Sequence, residues 1–132
     1  HITRPNTKRD LDIYKIALEK HSKGRLLKYN ELPKHLVTHQ NIKAFLDRFK
    51  VVDSNARAAQ TIVAHISKDG HHFIYPDKKQ LRSLSVREAA RLQTFPDSYK
   101  FEGSRTAQFK QIGNAVPPLF SSILAKELIK FL

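Results

Sequence analysis

Two stretches of this chain leave the backbone few choices. Ser85-Val86-Arg87-Glu88 is a full capping box, in which the serine hydroxyl and the glutamate carboxylate each satisfy an orphan amide at a helix start. The helix it opens is expected to run to about Gln93. Phe95-Pro96-Asp97 then closes it, because proline disfavours helical geometry in the residue before it. Ser104 caps another short helix that ends before Gly113, with Gly113-Asn114 as a turn. Pro117 suits the first turn of a last helix over residues 117–131, where its missing amide has no partner to lose. Phe120, Ile123, Leu124, Leu128 and Phe131 line one side of that helix, with Lys126 and Lys130 near its negative end.

Upstream, Thr7 with Asp10 three residues on marks the start of a helix over residues 6–23. Leu11, Tyr14, Ala17, Leu18 and His21 fall at helical spacing, and Gly24 is the stop. Residues 25–36 form a basic connector holding Pro33, with a short turn at 30–32. A second helix is expected over residues 41–49, where Ile42, Phe45, Leu46 and Phe49 make a single apolar stripe that reads as core. From Thr61 the composition turns β-rich. Residues 61–66 and 71–75 read as two strands joined by Ser67-Lys68-Asp69-Gly70, with Asp-Gly supplying a positive-φ position. The expected class is α+β: N-terminal helices, a central β-hairpin or small sheet, then C-terminal helices.

Charge narrows the partner. Lys and Arg number 24 against 12 Asp and Glu, a formal net charge of +12 and a pI near 10.1. A small domain tolerates such self-repulsion best beside a polyanion, and displacement of condensed counterions favours nucleic acid. No long apolar run or basic amphipathic anchor points to a membrane. Cysteine is absent, which excludes disulfides, thiolate metal sites and cysteine nucleophiles. The seven histidines show no zinc-ligand spacing, so no metal site is expected. Methionine is also absent, and the chain reads as processed or, more in keeping with its motifs, as an excised piece.

Residues 82–97, Arg-Ser-Leu-Ser-Val-Arg-Glu-Ala-Ala-Arg-Leu-Gln-Thr-Phe-Pro-Asp, resemble the ninth motif of DNA cytosine-5 methyltransferases. Residues 111–118, Gln-Ile-Gly-Asn-Ala-Val-Pro-Pro, look like the tenth, and their order and spacing match. The resemblance runs from Thr61 to the C-terminus. Further upstream, Lys28-Tyr29-Asn30 and residues 45–52 look like the variable target-recognition region of some bacterial members.

The resemblance implies a target-recognition region over residues 1–80 and a segment closing the methyltransferase domain over 81–132. The last helices would pack on a Rossmann-like lobe that these residues do not include. Asn114, Ala115 and Val116 become the contacts that complete an S-adenosyl-L-methionine pocket. Thr61, in a pair resembling the family's Thr-Leu-type dipeptide, becomes a DNA-backbone contact, with a plain strand threonine as the alternative. Lys68 and His71, with His72, would lie near a hairpin tip entering a groove, or form a solvated turn. Arg82, Arg87 and Arg91 form a basic row that contacts phosphate or braces the fold through carboxylates and carbonyls; for Arg87 and Arg91 the bracing role weighs more.

The family's Pro-Cys nucleophile, its Glu-Asn-Val glutamate, its Gly-rich methyl-donor loop and its Gln-x-Arg-x-Arg segment are all missing. No catalytic residue is therefore assigned, and the chain alone is expected to be inactive. The implied partners are double-stranded DNA and an N-terminal catalytic lobe, in cis or as a separate subunit. The implied setting is the bacterial cytoplasm at the nucleoid, in a restriction-modification system. The alternative is a non-enzymatic DNA-binding specificity subunit. An exposed apolar last helix favours the first reading, a buried one the second.

Overall fold

The structure, a computed structural model, describes residues 3–44 and 46–131. They form two compact units, one of residues 3–60 and 69–84, the other of residues 61–68 and 85–131. These units do not follow a linear division at residue 80. The segment 61–68 groups with the C-terminal helices, and 69–84 groups with the N-terminal part.

The first unit is built on α1, Lys8–His21. Its start is the expected capping box: the Thr7 hydroxyl accepts from the Asp10 amide, and the Asp10 carboxylate accepts from the Thr7 amide. Gly24, at φ 68, follows the helix end in the left-handed region that glycine enters without penalty. Ile13, Tyr14, Ala17 and Leu18 bury the inner face of α1 in a core with Leu27, Tyr29, Leu32, Leu36, Phe49, Val51 and Ile74. Tyr29–Glu31 and Lys34–Leu36 are single 3-10 turns.

The helix expected over 41–49 is not there. Asn41 accepts from the Lys43 and Ala44 amides in a local side-chain turn. Beyond it, backbone groups pair outward rather than four residues back: the Tyr29 amide donates to the Leu46 carbonyl, and Phe49 bridges Leu27. Of the stripe, Phe49 is buried, Leu46 partly buried and Ile42 exposed, while Phe45 lies outside the described residues.

The expected β-hairpin over 61–75 is also absent; among the described residues there is no strand longer than a single bridge. Ala64–Ser67 and Gly70–His72 are 3-10 turns, and Gly70 does not take a positive φ. The reason is competition for the backbone of residues 71–75. Ile74 bridges Val51 on one side and Ser83 on the other. The flanking bonds run from Val52 to Ile74, Ile74 to Lys50, Tyr75 to Arg82 and Leu84 to Phe73. With both edges occupied, no edge remains for residues 61–66.

The second unit is helical. It holds the Ala64–Ser67 turn, α2 (Val86–Leu92), α3 (Arg105–Asn114), α4 (Pro118–Leu128) and a closing 3-10 turn Ile129–Phe131. Ser85 and Glu88 form the anticipated capping box, and Ser104 caps α3 through the Ala107 amide. Ile62, Ile66, Ala89, Ala90, Phe109 and Ile112 are buried, and α3 packs across the 64–67 turn.

Candidate functional site

The C-terminal corner of the second unit carries the candidate cofactor residues. Gly113 and Asn114 are not a turn: α3 continues through both, and the chain turns extended only at Ala115, φ −78 and ψ 145. Gly113 is required for another reason. A Cβ there would lie 2.6 Å from the Val63 carbonyl oxygen and 2.7 Å from the Ala64 Cα, so its absence lets α3 press onto the 63–64 backbone. Asn114 is exposed at the helix end, Ala115 is half-exposed and Val116 is exposed.

Two consecutive residues of α2's exit reach this corner. The Gln93 side chain is buried, and its Nε2 donates to the Ile112 carbonyl at 3.1 Å and the Ala115 carbonyl at 3.3 Å. These carbonyls lie at the end of α3, where intrahelical partners run out. Thr94 sits at φ 63, in the left-handed position that ends α2: its amide bonds Arg91 and the Phe95 amide bonds Ala90. The Thr94 hydroxyl accepts from the Leu119 amide at 3.1 Å, in the first turn of α4, whose own N-cap, Pro117, offers no side-chain acceptor.

The candidate DNA residues are dispersed. Thr61 and Lys68 are exposed on the second unit, flanking the 64–67 turn. Arg87 donates to the Pro96 and Tyr99 carbonyls at 3.2 and 2.7 Å. Arg91 makes a bidentate pair with Asp97, both contacts 2.8 Å, and the hydrogen bond to Arg91 holds the Asp97 carboxyl below its usual range. Both arginines thus brace the loop that follows α2. Arg82 and His71 belong to the first unit. The Arg82 guanidinium stacks over Tyr75, 3.7 Å from the ring centroid.

His71 is not at a hairpin tip. Its ring lies edge-on to Tyr14 and Phe49, and its Nδ1 is 2.9 Å from the Tyr14 hydroxyl. Burial pushes the imidazole below its usual range, against the pull of Asp69 and Asp10 and with the help of Arg48 and Arg9. In the tautomer that carries its proton on Nε2 the Tyr14 hydroxyl donates to Nδ1, and in the other Nδ1–H donates to the hydroxyl oxygen. Arg48 closes the network on Asp69 at 2.6 Å. Burial raises the Asp69 carboxyl, but the His71 amide, the His71 charge and Arg48 outweigh it and hold the group below its usual range.

Residues 2–130 match the family model described as C-5 cytosine-specific DNA methylase. The chain belongs to that family. A type II methyltransferase, M.Bpa9945I of Bacillus paralicheniformis, is 62% identical over 126 residues, 96% of this chain and 28% of its own length. A putative type II methyltransferase of Oceanobacillus iheyensis, M.OihORF3336P, is 36% identical over 147 residues, covering 95% of this chain and 31% of its own. Type II methyltransferase M.AgeI of Thalassovita gelatinovora is 50% identical over 70 residues, 53% of this chain and 16% of its own. This C-5 methylase chain therefore spans under a third of the length of these relatives. No solved structure matches it. No helix among the described residues is long and apolar enough to cross a membrane.

Within the family segment, the sequence marked Gln93 only as the approximate end of a helix and gave Thr94 no role of its own. The signal was present for Gln93: it falls four and three positions after the fully buried Ala89 and Ala90, on the helix's inner face. A polar side chain at that place needs internal partners.

Proposed function

We propose that this chain is the target-recognition and domain-closing part of an S-adenosyl-L-methionine-dependent DNA cytosine-5 methyltransferase of the restriction-modification type. The observation that carries the reading is α4. It has no buried residue, and Leu119, Phe120, Ile123, Leu124 and Leu128 are each about half or more exposed. An apolar face of that extent marks a contact surface. A Rossmann-like catalytic lobe, in cis or as a separate subunit, fits it, given how small a share of its relatives' length this chain covers. A self-sufficient specificity module would bury its last helix, so α4 weighs against that alternative.

The residues present suit one edge of the cofactor. Asn114 offers an amide donor and acceptor beside the small, apolar Ala115 and Val116, which suits a nucleoside's polar rim and flat face. The cofactor, when bound, supplies the methyl group. Asn114 would orient it by hydrogen bonding, while Ala115 and Val116 exclude water from that side. The nucleophile must come from outside, since the chain has no cysteine. The net charge of +12 suits phosphate contact, with Thr61 and Lys68 the exposed candidates.

The test is reconstitution. The chain alone is expected to bind duplex DNA weakly, with affinity falling steeply as salt rises, and to transfer no methyl group. A matched catalytic lobe is expected to restore S-adenosyl-L-methionine-dependent labelling of cytosine. Salt-independent DNA binding, or no labelling with the matched lobe, overturns the proposal.

A further inference from the structure

We infer that Gln93 and Thr94 are positioning residues for the cofactor edge, a clasp that sets where Asn114, Ala115 and Val116 stand. This rests on the reading of those three residues as cofactor contacts. The clasp acts on both sides of the corner. Gln93 holds the end of α3 and the first extended residue after it, through the carbonyls of Ile112 and Ala115. Thr94 holds the start of α4 through the Leu119 amide. Between these anchors run only Val116, Pro117 and Pro118, two of them with fixed φ. The corner therefore has little freedom left once both bonds are made.

Thr94 shows that the clasp is more than helix termination. A left-handed φ of 63 is costly for a β-branched residue, and glycine would end α2 at that position without strain. What threonine adds is the hydroxyl, and the hydroxyl is spent on another helix 25 residues away. An observed backbone outlier of this kind, tied to a candidate ligand edge, points to positioning. Gln93 argues the same way, since a buried amide on a helix's inner face is tolerated only when its partners are fixed.

The experiment uses Gln93→Met, Thr94→Gly, Thr94→Ser and, as a control on the edge itself, Asn114→Ala. Amide hydrogen exchange in this chain reads the clasp directly. Thr94→Gly is expected to speed exchange at Leu119 while Thr94→Ser preserves protection. In the parent enzyme, Gln93→Met and Thr94→Gly are expected to raise KM for S-adenosyl-L-methionine by about tenfold with kcat within about twofold, the pattern of lost ground-state positioning. Simple misfolding would instead lower kcat through the active fraction and leave KM alone. Unchanged exchange at Leu119 overturns the clasp. So does unchanged KM in Gln93→Met and Thr94→Gly when Asn114→Ala raises it. If Asn114→Ala also leaves KM unchanged, the cofactor edge itself is misassigned and the clasp loses its role with it. Should Gln93→Met fail to fold, the Thr94 pair decides the matter unaided.

Discussion

Gly113→Ala separates two opposing effects whose sizes can be worked out. Gly113 lies inside α3, and helix propensity alone favours alanine there by about 0.8–1.0 kcal/mol. Packing opposes it. The added methyl would meet the Val63 oxygen at 2.6 Å, the Ala64 Cα at 2.7 Å and the Ala64 nitrogen at 2.8 Å. All three are backbone atoms, so no side-chain rotation relieves the overlap. Either α3 lifts off the 64–67 turn, loosening the buried Phe109 and Ile112, or the turn distorts. Overpacking of this kind costs about 1–3 kcal/mol, and contacts this short to backbone belong at the upper end. The net is about 2 kcal/mol of destabilisation, which for a chain of this size lowers Tm by roughly 6–10 °C. Thermal melts followed by circular dichroism measure it. Gly24→Ala is the comparison: its φ is 68 but no atom lies within 4 Å of an added Cβ, so it isolates backbone strain without collision. If Gly113→Ala melts at or above the parent temperature, the close approach of α3 to residues 63–64 is wrong.

Two further outcomes are expected. His71, pushed down by burial, binds fewer protons folded than unfolded between its folded value and the unfolded value of about 6.5. Stability is therefore present at neutral pH and lost as pH falls through that window; Asp69, also held low, adds its loss only at more acidic pH. Denaturant titrations at pH 7 and pH 5 are expected to show a drop that His71→Gln reduces, and an equal drop in the variant refutes the assignment. Ile123→Glu, on the exposed face of α4, is expected to change the chain's own stability by no more than about 0.5 kcal/mol while weakening its capture of the catalytic lobe. Strong destabilisation of the isolated chain would show that α4 is packed internally.

What was legible in the sequence was whatever is decided within a few residues. The capping boxes at Thr7 and Ser85, the cap at Ser104 and the stop at Gly24 all formed, because each links groups at most four positions apart. The errors share the opposite property. Residues 61–75 carry β-favouring side chains and an Asp-Gly turn signal, yet the edges of 71–75 are taken by partners near 51 and 83. The apolar stripe at 42–49 has helical spacing, yet Tyr29 and Leu27 claim its backbone groups from outside. In both places a local preference met a non-local backbone partner, and the partner won.

The candidate site divides along the same line, and that explains why a motif can be recognised while the local geometry of one of its glycines is misread. Gly113 looked like a turn glycine because glycine before Asn and Pro usually is one. Its actual constraint comes from residues 63 and 64, fifty positions away in the chain. Arg87 and Arg91 share a helix face, and carbonyls and a carboxylate in the following loop occupy both, the bracing arrangement that weighed more in the sequence. Those pairings make the two arginines part of the frame of that loop. Gln93 and Thr94 complete the pattern. They end α2 by local rules, yet their side chains act on α3 and α4. The family match runs over residues 2–130, while the proposed cofactor edge at Asn114, Ala115 and Val116 depends on the bonds that Gln93 and Thr94 make to α3 and α4.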